Sequence, residues 1–474
     1  MMEAKATSRP EGRPRRVGNS AEKRQNRTQS RRMLPANLIR VNEAAKRSKQ
    51  TRFTALLHHV DVDALRRAYL RQRCAAAPGV DGMTVQTYAE GLEDRLQDLC
   101  TRLHRGRYRP QPVRRSHIPK ADGGQRPLGI LVLEDKIVQS AVAELLSVIY
   151  EADFLDSSYG FRPGRRAHQA LLTVHRAIMS ERVNWVLDAD IRRFFDSVDH
   201  GWLLRMIEHR IADPRVLRLI GQWLEAGVLE NGVYAETVEG VPQGAGISPL
   251  LANIFLHYTL DLWVRKWEQQ HATGRMRLVR YCDDFVLTLE KRGDGERLLA
   301  SLGERLAKFG LRLHPDKTRL IEFGHFATEN RRRRGQGRPE TFNFLGFTHY
   351  CAKTRRGRFM VLRKTQRQRM TRKLKELRQA MWWRMHHPVR EQHAWLSAVL
   401  RGHYAYYGIT GNSRSLSAFA NQVYRAWHFV LRRRSQRRRG SRVRLYQILR
   451  VYQLPLPRIV HIWPISSGAI GSPT

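Results

Sequence analysis

Acidic residues are scarce in this chain. Asp and Glu number 43 against 85 Lys and Arg in 474 residues, which leaves a formal charge of +42. Like charges at that density repel one another in a compact state, so the balance calls for a polyanionic partner. Nucleic acid is the usual one, and an anionic membrane surface is its competitor. Long apolar runs are also missing. None approaches the roughly 20 residues that a membrane-spanning helix needs, so no membrane partner is expected. Cysteine is sparse: Cys74, Cys100, Cys282 and Cys351 are all there is, and no two stand in a Cys-x-x-Cys pair. That pattern argues against zinc ribbons and against a disulfide framework, and it suits a reducing, cytoplasmic compartment. The N-terminus has no apolar signal segment. It is Arg-rich like an organellar presequence, but Glu3, Glu11 and Glu22 interrupt it and no apolar helical stripe runs through it. Organellar import is kept as the lesser alternative.

What is present begins with enough apolar residues, 42%, to bury more than one core. A chain of this length is expected to divide into several packed units. Residues 1–33 read as a basic arm, disordered when free. Leu92, Leu96, Leu99 and Leu103 recur at helical spacing, and 135–149 carries a wide apolar helical face. Strand-like runs follow: Val186-Leu187, then Leu278 to Tyr281, then Phe285 to Leu289. A helix is predicted over 295–309, with Gly310 ending it. Strands and helices intermix, so the fold class is α+β. The quartet Arg331 to Arg334 reads as part of a Gly- and Arg-rich loop. After about 350 the character changes to basic helices over 362–383, 391–408 and 415–434, with Trp382, Trp383, Tyr404, Tyr406, Tyr407 and Trp427 interleaved. Pro464 to Thr474 reads as a loose tail.

The chemistry concentrates in the middle. Tyr281-Cys282-Asp283-Asp284 lies between two short apolar strands, and a tight hairpin there puts two carboxylates at its tip. A solvated Asp-Asp turn is the bland alternative. The apolar flanks and a second site weigh against it: Asp190 follows Trp185-Val186-Leu187-Asp188-Ala189 and precedes Ile191-Arg192-Arg193-Phe194-Phe195-Asp196. An Asp ending one buried strand and facing an Asp-Asp hairpin from another is a two-metal arrangement. Two Mg²⁺ roughly 3.5–4 Å apart would activate a primer 3′-hydroxyl and stabilise leaving pyrophosphate. Mg²⁺ suits carboxylate and phosphate oxygens in octahedral geometry.

These residues resemble the palm of reverse transcriptases, whose catalytic box is Tyr-x-Asp-Asp. The resemblance extends over most of the chain and is to the group II intron-encoded reverse transcriptase/maturase family. It is carried in order by Pro78-Gly79-Val80-Asp81-Gly82-Met83-Thr84, Arg126-Pro127-Leu128-Gly129-Ile130, Ser158-Tyr159-Gly160-Phe161-Arg162-Pro163-Gly164-Arg165, Gly240-Val241-Pro242-Gln243-Gly244, Ile247-Ser248-Pro249-Leu250-Leu251-Ala252-Asn253 and Phe344-Leu345-Gly346-Phe347. Leu400 to Gly408, with Gly411-Asn412-Ser413 after it, resembles the thumb and maturase region. One departure is Cys282, where the family most often has Ala. It bears on fidelity and substrate fit rather than on the chemistry.

The resemblance implies a right-hand polymerase, fingers and palm, followed by an α-helical thumb/maturase domain. The expected division is the arm 1–33, an N-terminal extension and fingers at 34–180, a palm at 181–350 to which part of 200–245 does not belong because it joins the fingers, a thumb/maturase domain at 351–460, and a tail at 461–474. Asp190, Asp283 and Asp284 are the implied catalytic residues, and Asp190, Ile191, Asp283 and Asp284 the implied set for two Mg²⁺. Lys120, Arg126, Phe195, Gln243 and Gly244 are implied around the incoming dNTP. Phe195 is the expected steric gate against a ribose 2′-hydroxyl, with Phe194 as its alternative. Tyr281 falls near primer and template; Lys317 either lies near the primer or is a structural lysine. Arg162 and Arg165 either touch template phosphates or make structural ion pairs. Arg432, Arg433, Arg434, Arg437, Arg438 and Arg439 are implied RNA contacts, with most aromatic rings of that region buried. The implied partners are an intron RNA, an RNA template, a DNA primer or target, and dNTPs. Oligomeric state stays open. The His/Asn nuclease found in many relatives is not expected. The implied function is reverse transcription of an intron RNA together with help in its splicing. A domesticated polymerase in repair or defence, and a splicing factor without polymerase activity, are the alternatives.

Overall fold

The computed structural model describes residues 34–119, 125–230, 233–236, 239–241, 246–434 and 441–463. The expected N-terminal arm lies outside them.

Eleven strands are described, in chain order: β1 (Val113–Pro119), β2 (Gln125–Ile130), β3 (Trp185–Asp190), β4 (Val228–Glu230), β5 (Val233–Ala235), β6 (Met276–Tyr281), β7 (Asp284–Leu289), β8 (Arg319–Glu322), β9 (Phe342–Phe344), β10 (Phe347–Lys353) and β11 (Phe359–Thr365). They form three sheets, ordered β2-β1-β4-β5, β6-β7-β3-β8 and β11-β10-β9. The first joins the 113–130 hairpin to the 228–235 hairpin through a parallel β1–β4 pairing. A segment between β3 and β6 in the chain thus pairs with the 113–130 hairpin.

The central sheet is antiparallel throughout and buried on both faces, because strand alternation sends successive side chains to opposite sides. Leu187, Ala189, Leu278, Phe285 and Leu287 enter the large core, with helices Leu133–Tyr150, Ser248–Leu256 and Arg292–Ala307. Val186, Val279 and Val286 enter a second core with helix Ala167–Ser180 and with Phe342, Phe344 and Phe347. The apolar faces read from the sequence are therefore core: Leu96, Leu99 and Leu103 are buried in helix Leu92–His104, as are Ile137, Val142 and Leu146 in helix Leu133–Tyr150. Gly310 follows helix Arg292–Ala307 with φ 74°, the left-handed conformation of a helix stop.

A third core packs the C-terminal helices Arg367–Trp383, Val389–Tyr407 and Ser413–Arg433 around Leu377, Leu400, Tyr404, Phe419 and Trp427. The helix expected from 362 starts only at 367. Residues 362–365 are the end of β11, whose pairing with β10 the helical-looking spacing did not reveal. The boundary drawn between 350 and 351 accordingly falls inside β10. The quartet Arg331 to Arg334 is not loop: Ala327–Arg333 is helical, with Arg333 paired to Glu329 at 2.8 Å and Arg334 paired to Glu322. The tail expected from 461 also begins inside packed structure. The His461 ring stacks on His168 at 3.8 Å, and Trp463 lies under the guanidinium of Arg363 at 4.5 Å. This extended segment bonds back to Gly408 through the N–H groups of Val460 (2.7 Å) and His461 (2.8 Å). Among the described residues no helix is long and apolar enough to cross a membrane.

Candidate active site

The site is built by register. In the β3–β7 ladder Asp190 stands directly opposite Asp284, and in the β6–β7 ladder Tyr281 closes on Asp284. The hairpin loop is thus only Cys282 and Asp283. Cys282 takes φ 60°, left-handed backbone that a two-residue hairpin demands and that an L side chain resists. The sequence 158–162 runs along the outer edge of β6, with the Tyr159 N–H donating to the Arg280 carbonyl (2.9 Å) and the Arg280 N–H to that of Ser157 (2.8 Å). Gly160 abuts the loop so closely that a Cβ there would stand 2.4 Å from the Cys282 nitrogen. Any other residue would push the carboxylate-bearing turn away.

Asp188, two residues before Asp190 and on the same face of β3, joins the group. Burial first, and then the charges of Asp188, Asp283 and Asp190, push the Asp284 carboxyl up to about 7. Burial likewise pushes Asp188 up to about 6, against the pull of Arg319. Sequence reasoning missed Asp188 as a member. Its signal was a charged residue at strand spacing from Asp190 in an otherwise apolar run. The Cys282 thiol is raised to about 12 by burial and by Asp283, so it stays protonated and is no nucleophile.

Lys317 donates to Asp190 Oδ2 at 2.9 Å, which brings it to the carboxylates themselves. Ile191 is buried and bridged to Leu313, so only its backbone carbonyl is available to a metal. Arg193, at φ 48°, turns the chain into the short 3-10 helix Phe194–Asp196. Phe194 is 2% exposed and packs on Phe255; Phe195 is only half-buried, its ring 5.3 Å from that of Phe194. The Phe195 carbonyl accepts from the Val241 N–H at 2.7 Å. Gln243 and Gly244 themselves lie outside the described residues, as do Lys120 and Arg437, Arg438 and Arg439. Arg126 is on β2 opposite Ile118, with its side chain outside what is described.

Arg162 resolves to the structural alternative. Its side chain is 4% exposed and donates to Glu151 (3.0 Å), the Leu155 carbonyl (2.6 Å) and the Ser158 carbonyl (2.8 Å), so its donors point inward rather than to a template. Arg165 pairs with Asp156 and lies over the Tyr159 ring, keeping part of its surface in solvent. Tyr281 is half-buried with its ring 6.3 Å from exposed Phe161. Leu345 and Gly346 form the β9–β10 turn with φ 49° and 84°. The Leu345 backbone offsets part of the rise at the Asp284 carboxyl, and the Leu345 carbonyl accepts from the Tyr406 hydroxyl at 2.8 Å. Helix Val389–Tyr407 is thus bonded to the β9–β10 turn. In the C-terminal helices the rings of Tyr404 and Trp427 are buried and those of Tyr406 and Tyr407 half-buried. Trp382 and Trp383 are exposed instead, and Arg433 lies over the rings of Trp382 and Phe429. Arg432 is exposed and Arg434 half-buried.

This geometry meets its counterpart in known proteins. The family model for reverse transcriptase (RNA-dependent DNA polymerase) matches residues 118–349. Protein YkfC of Escherichia coli K12 is 35% identical over 311 residues, covering 57% of this chain and 81% of YkfC. Group II intron-encoded protein LtrA of Lactococcus lactis is 44% identical over 178 residues, 37% of this chain. The chain belongs to the group II intron-encoded reverse transcriptase family. Nuclear intron maturase 2 of Arabidopsis thaliana is 30% identical over 230 residues. The matched region spans 29% of LtrA and 29% of that maturase.

Members of the reverse transcriptase family use divalent metal, and the donor chemistry fits. The site offers carboxylate oxygens, the ligands that hard dications take. Burial raises the Asp284 carboxyl most, the charges of Asp188, Asp283 and Asp190 add to the rise, and a dication relieves that repulsion. Among the described residues no group of three or more His, Cys, Asp or Glu side chains is gathered so as to hold a metal ion, and Lys317 occupies one oxygen of Asp190.

Proposed function

We propose that this reverse transcriptase binds a group II intron RNA, assists its splicing and copies it into DNA by nucleotidyl transfer at Asp190, Asp283 and Asp284. The observation that carries the reading is the cross-strand pair of Asp190 and Asp284, with Asp283 in the two-residue loop between β6 and β7. Asp190, Asp283, Asp284 and the Ile191 carbonyl would hold two Mg²⁺, which supply charge neutralisation at the attacking 3′-hydroxyl and the leaving pyrophosphate. Lys317 leaves Asp190 when the site loads and takes up substrate phosphate charge instead. Phe195, half-buried beside the site, lies under the sugar of the incoming dNTP and excludes a 2′-hydroxyl. The primer–template runs past Tyr281 and Arg165 toward the basic C-terminal helices. There arginines bind phosphates and exposed Trp382 and Trp383 offer stacking faces for unpaired bases.

The test is primer extension on an RNA template by the purified chain, beside splicing of an adjacent intron. Asp283→Asn removes a charged metal ligand. It is expected to cost about 4 kcal/mol of transition-state stabilisation, roughly a thousandfold in rate, with RNA binding retained. Extension within about tenfold of wild type contradicts the metal assignment.

A further inference from the structure

Behind the catalytic loop lies a charged network that the polymerase reading leaves without a task. Arg280 sits in β6 between Val279 and Tyr281, on the face opposite Asp284, and is 0% exposed. A buried guanidinium is costly unless its donors are matched. Here Nε donates to Asp261 Oδ1 at 2.7 Å and Nη2 to Asp261 Oδ2 at 2.5 Å. Nη1 donates to Asn253 Oδ1 and to the Cys282 carbonyl, both at 2.9 Å. Asn253 in turn donates from Nδ2 to the Gly160 carbonyl at 2.7 Å. Asp261 is itself buried and ends a π-helical turn, His257–Asp261, inserted between helices Ser248–Leu256 and Leu262–His271. Such turns are rare and are frequent at functional sites.

A plain core ion pair would need only Arg280 and Asp261. Two of the acceptors exceed that need. One is the carbonyl of Cys282, the loop residue held at φ 60°; the other, reached through Asn253, is the carbonyl of Gly160, whose backbone presses on the Cys282 nitrogen. The network therefore grips the catalytic loop at its carbonyl from behind and grips the segment that braces it from the side.

We propose that Arg280, oriented by Asp261 and Asn253, is a positioning residue that fixes the Cys282–Asp283 loop and so holds Asp283 beside Asp190 and Asp284. This rests on the polymerase reading above. The planar fork of Arg280 reaches its acceptors together, which the point charge of a lysine cannot do. Arg280→Lys keeps a cation opposite Asp261 but loses the hold on Cys282. Asn253→Ala leaves the Arg280–Asp261 ion pair and the bond to the Cys282 carbonyl in place, and removes the Arg280–Asn253 bond together with the link to Gly160.

Both variants are to be compared with the full wild-type chain for melting temperature, primer–template affinity, and kcat and KM for dNTP addition. The half-saturating Mg²⁺ and the Mg²⁺-induced melting shift without nucleotide complete the set. Expected is a kcat lowered about tenfold to a hundredfold, the effect of misplacing a reacting group by about 1 Å, with primer–template affinity and KM for dNTP within about twofold. Half-saturating Mg²⁺ is expected to rise and the Mg²⁺-induced melting shift to shrink. A folded variant of either kind with wild-type kcat and wild-type Mg²⁺ response overturns the positioning role. So does a loss of kcat matched by equal losses in primer–template affinity and melting temperature, since that marks general structural support. If Arg280→Lys does not fold, Asn253→Ala alone decides between these outcomes. A wild-type chain that extends no primer overturns the polymerase reading and this role with it, a result distinct from an active wild type with unaffected variants.

Discussion

Adjacent phenylalanines offer a sharp test, because the structure buries Phe194 and leaves Phe195 half-buried. Phe194 is 2% exposed in the large core and packs edge-on against Phe255 at 6.3 Å, while Phe195 is half-buried at the site. Truncating a fully buried Phe costs its transfer free energy plus a cavity, about 3–5 kcal/mol. Phe194→Ala is therefore expected to lower the denaturation midpoint strongly and to leave the ratio of dNTP to rNTP incorporation where it was in the surviving folded fraction. Phe195→Ala loses less buried surface, so its midpoint moves less. Its effect lies in selectivity. Forcing extra atoms into a filled space costs about 1–3 kcal/mol, so removing the ring lowers discrimination against a 2′-hydroxyl by roughly 5-fold to 150-fold. The assay is single-nucleotide extension with matched dATP and ATP opposite the same template base, taken as kcat/KM ratios, next to urea denaturation of each variant. A ratio that changes for Phe194→Ala and not for Phe195→Ala refutes the assignment of the gate. Unchanged ratios in both refute a gate at either position.

Two further outcomes follow from other parts of the molecule. Replacing Arg432, Arg433, Arg434, Arg437, Arg438 and Arg439 by Gln is expected to flatten the dependence of log RNA affinity on log salt by up to about 4, at roughly 0.7 for each phosphate no longer neutralised on single-stranded RNA. Short pre-annealed primers should still be extended at high enzyme concentration, and an unchanged slope would assign these arginines to solubility alone. His403, stacked on Phe419 at 3.7 Å, is held neutral: burial, and then Lys373, lower its pKa from 6.5 to about 4. A depressed folded-state pKa contributes stability above pH 6.5 that is lost as pH falls toward 4, at most about 3 kcal/mol. His403→Phe keeps the stacked ring and should shift the acid-denaturation midpoint of the C-terminal helices to lower pH; an unmoved midpoint would show that His403 does not drive it.

Local pattern carried much of this protein. The apolar spacing of 92–103 and 135–149 and the strand runs around Asp190 and Asp283-Asp284 are periodicities that burial enforces, and each reappears as an element with that face inside. The adjacency of two carboxylates in an apolar hairpin is a local cost that points to a cation without knowledge of the rest of the fold. The charge of +42 likewise requires no structure to imply a polyanion.

What the tertiary structure alone decided is pairing across long separations. That Asp190 faces Asp284 is set by register between strands 94 residues apart, and that Asp188 crowds both follows from it. In the sequence Arg162 had two open roles, a contact to template phosphate or a structural ion pair. Only the fold, by placing Glu151 and the Leu155 and Ser158 carbonyls around it, turned it inward. Residues 362–365 carried helical spacing and became strand because β10 supplied a hydrogen-bonding edge that no local propensity encodes. Arg280 could be seen in the sequence as a charge inside an apolar strand. Its meaning depends on Asp261, Asn253 and Cys282 converging from separate elements, and convergence of that kind belongs to the packed chain.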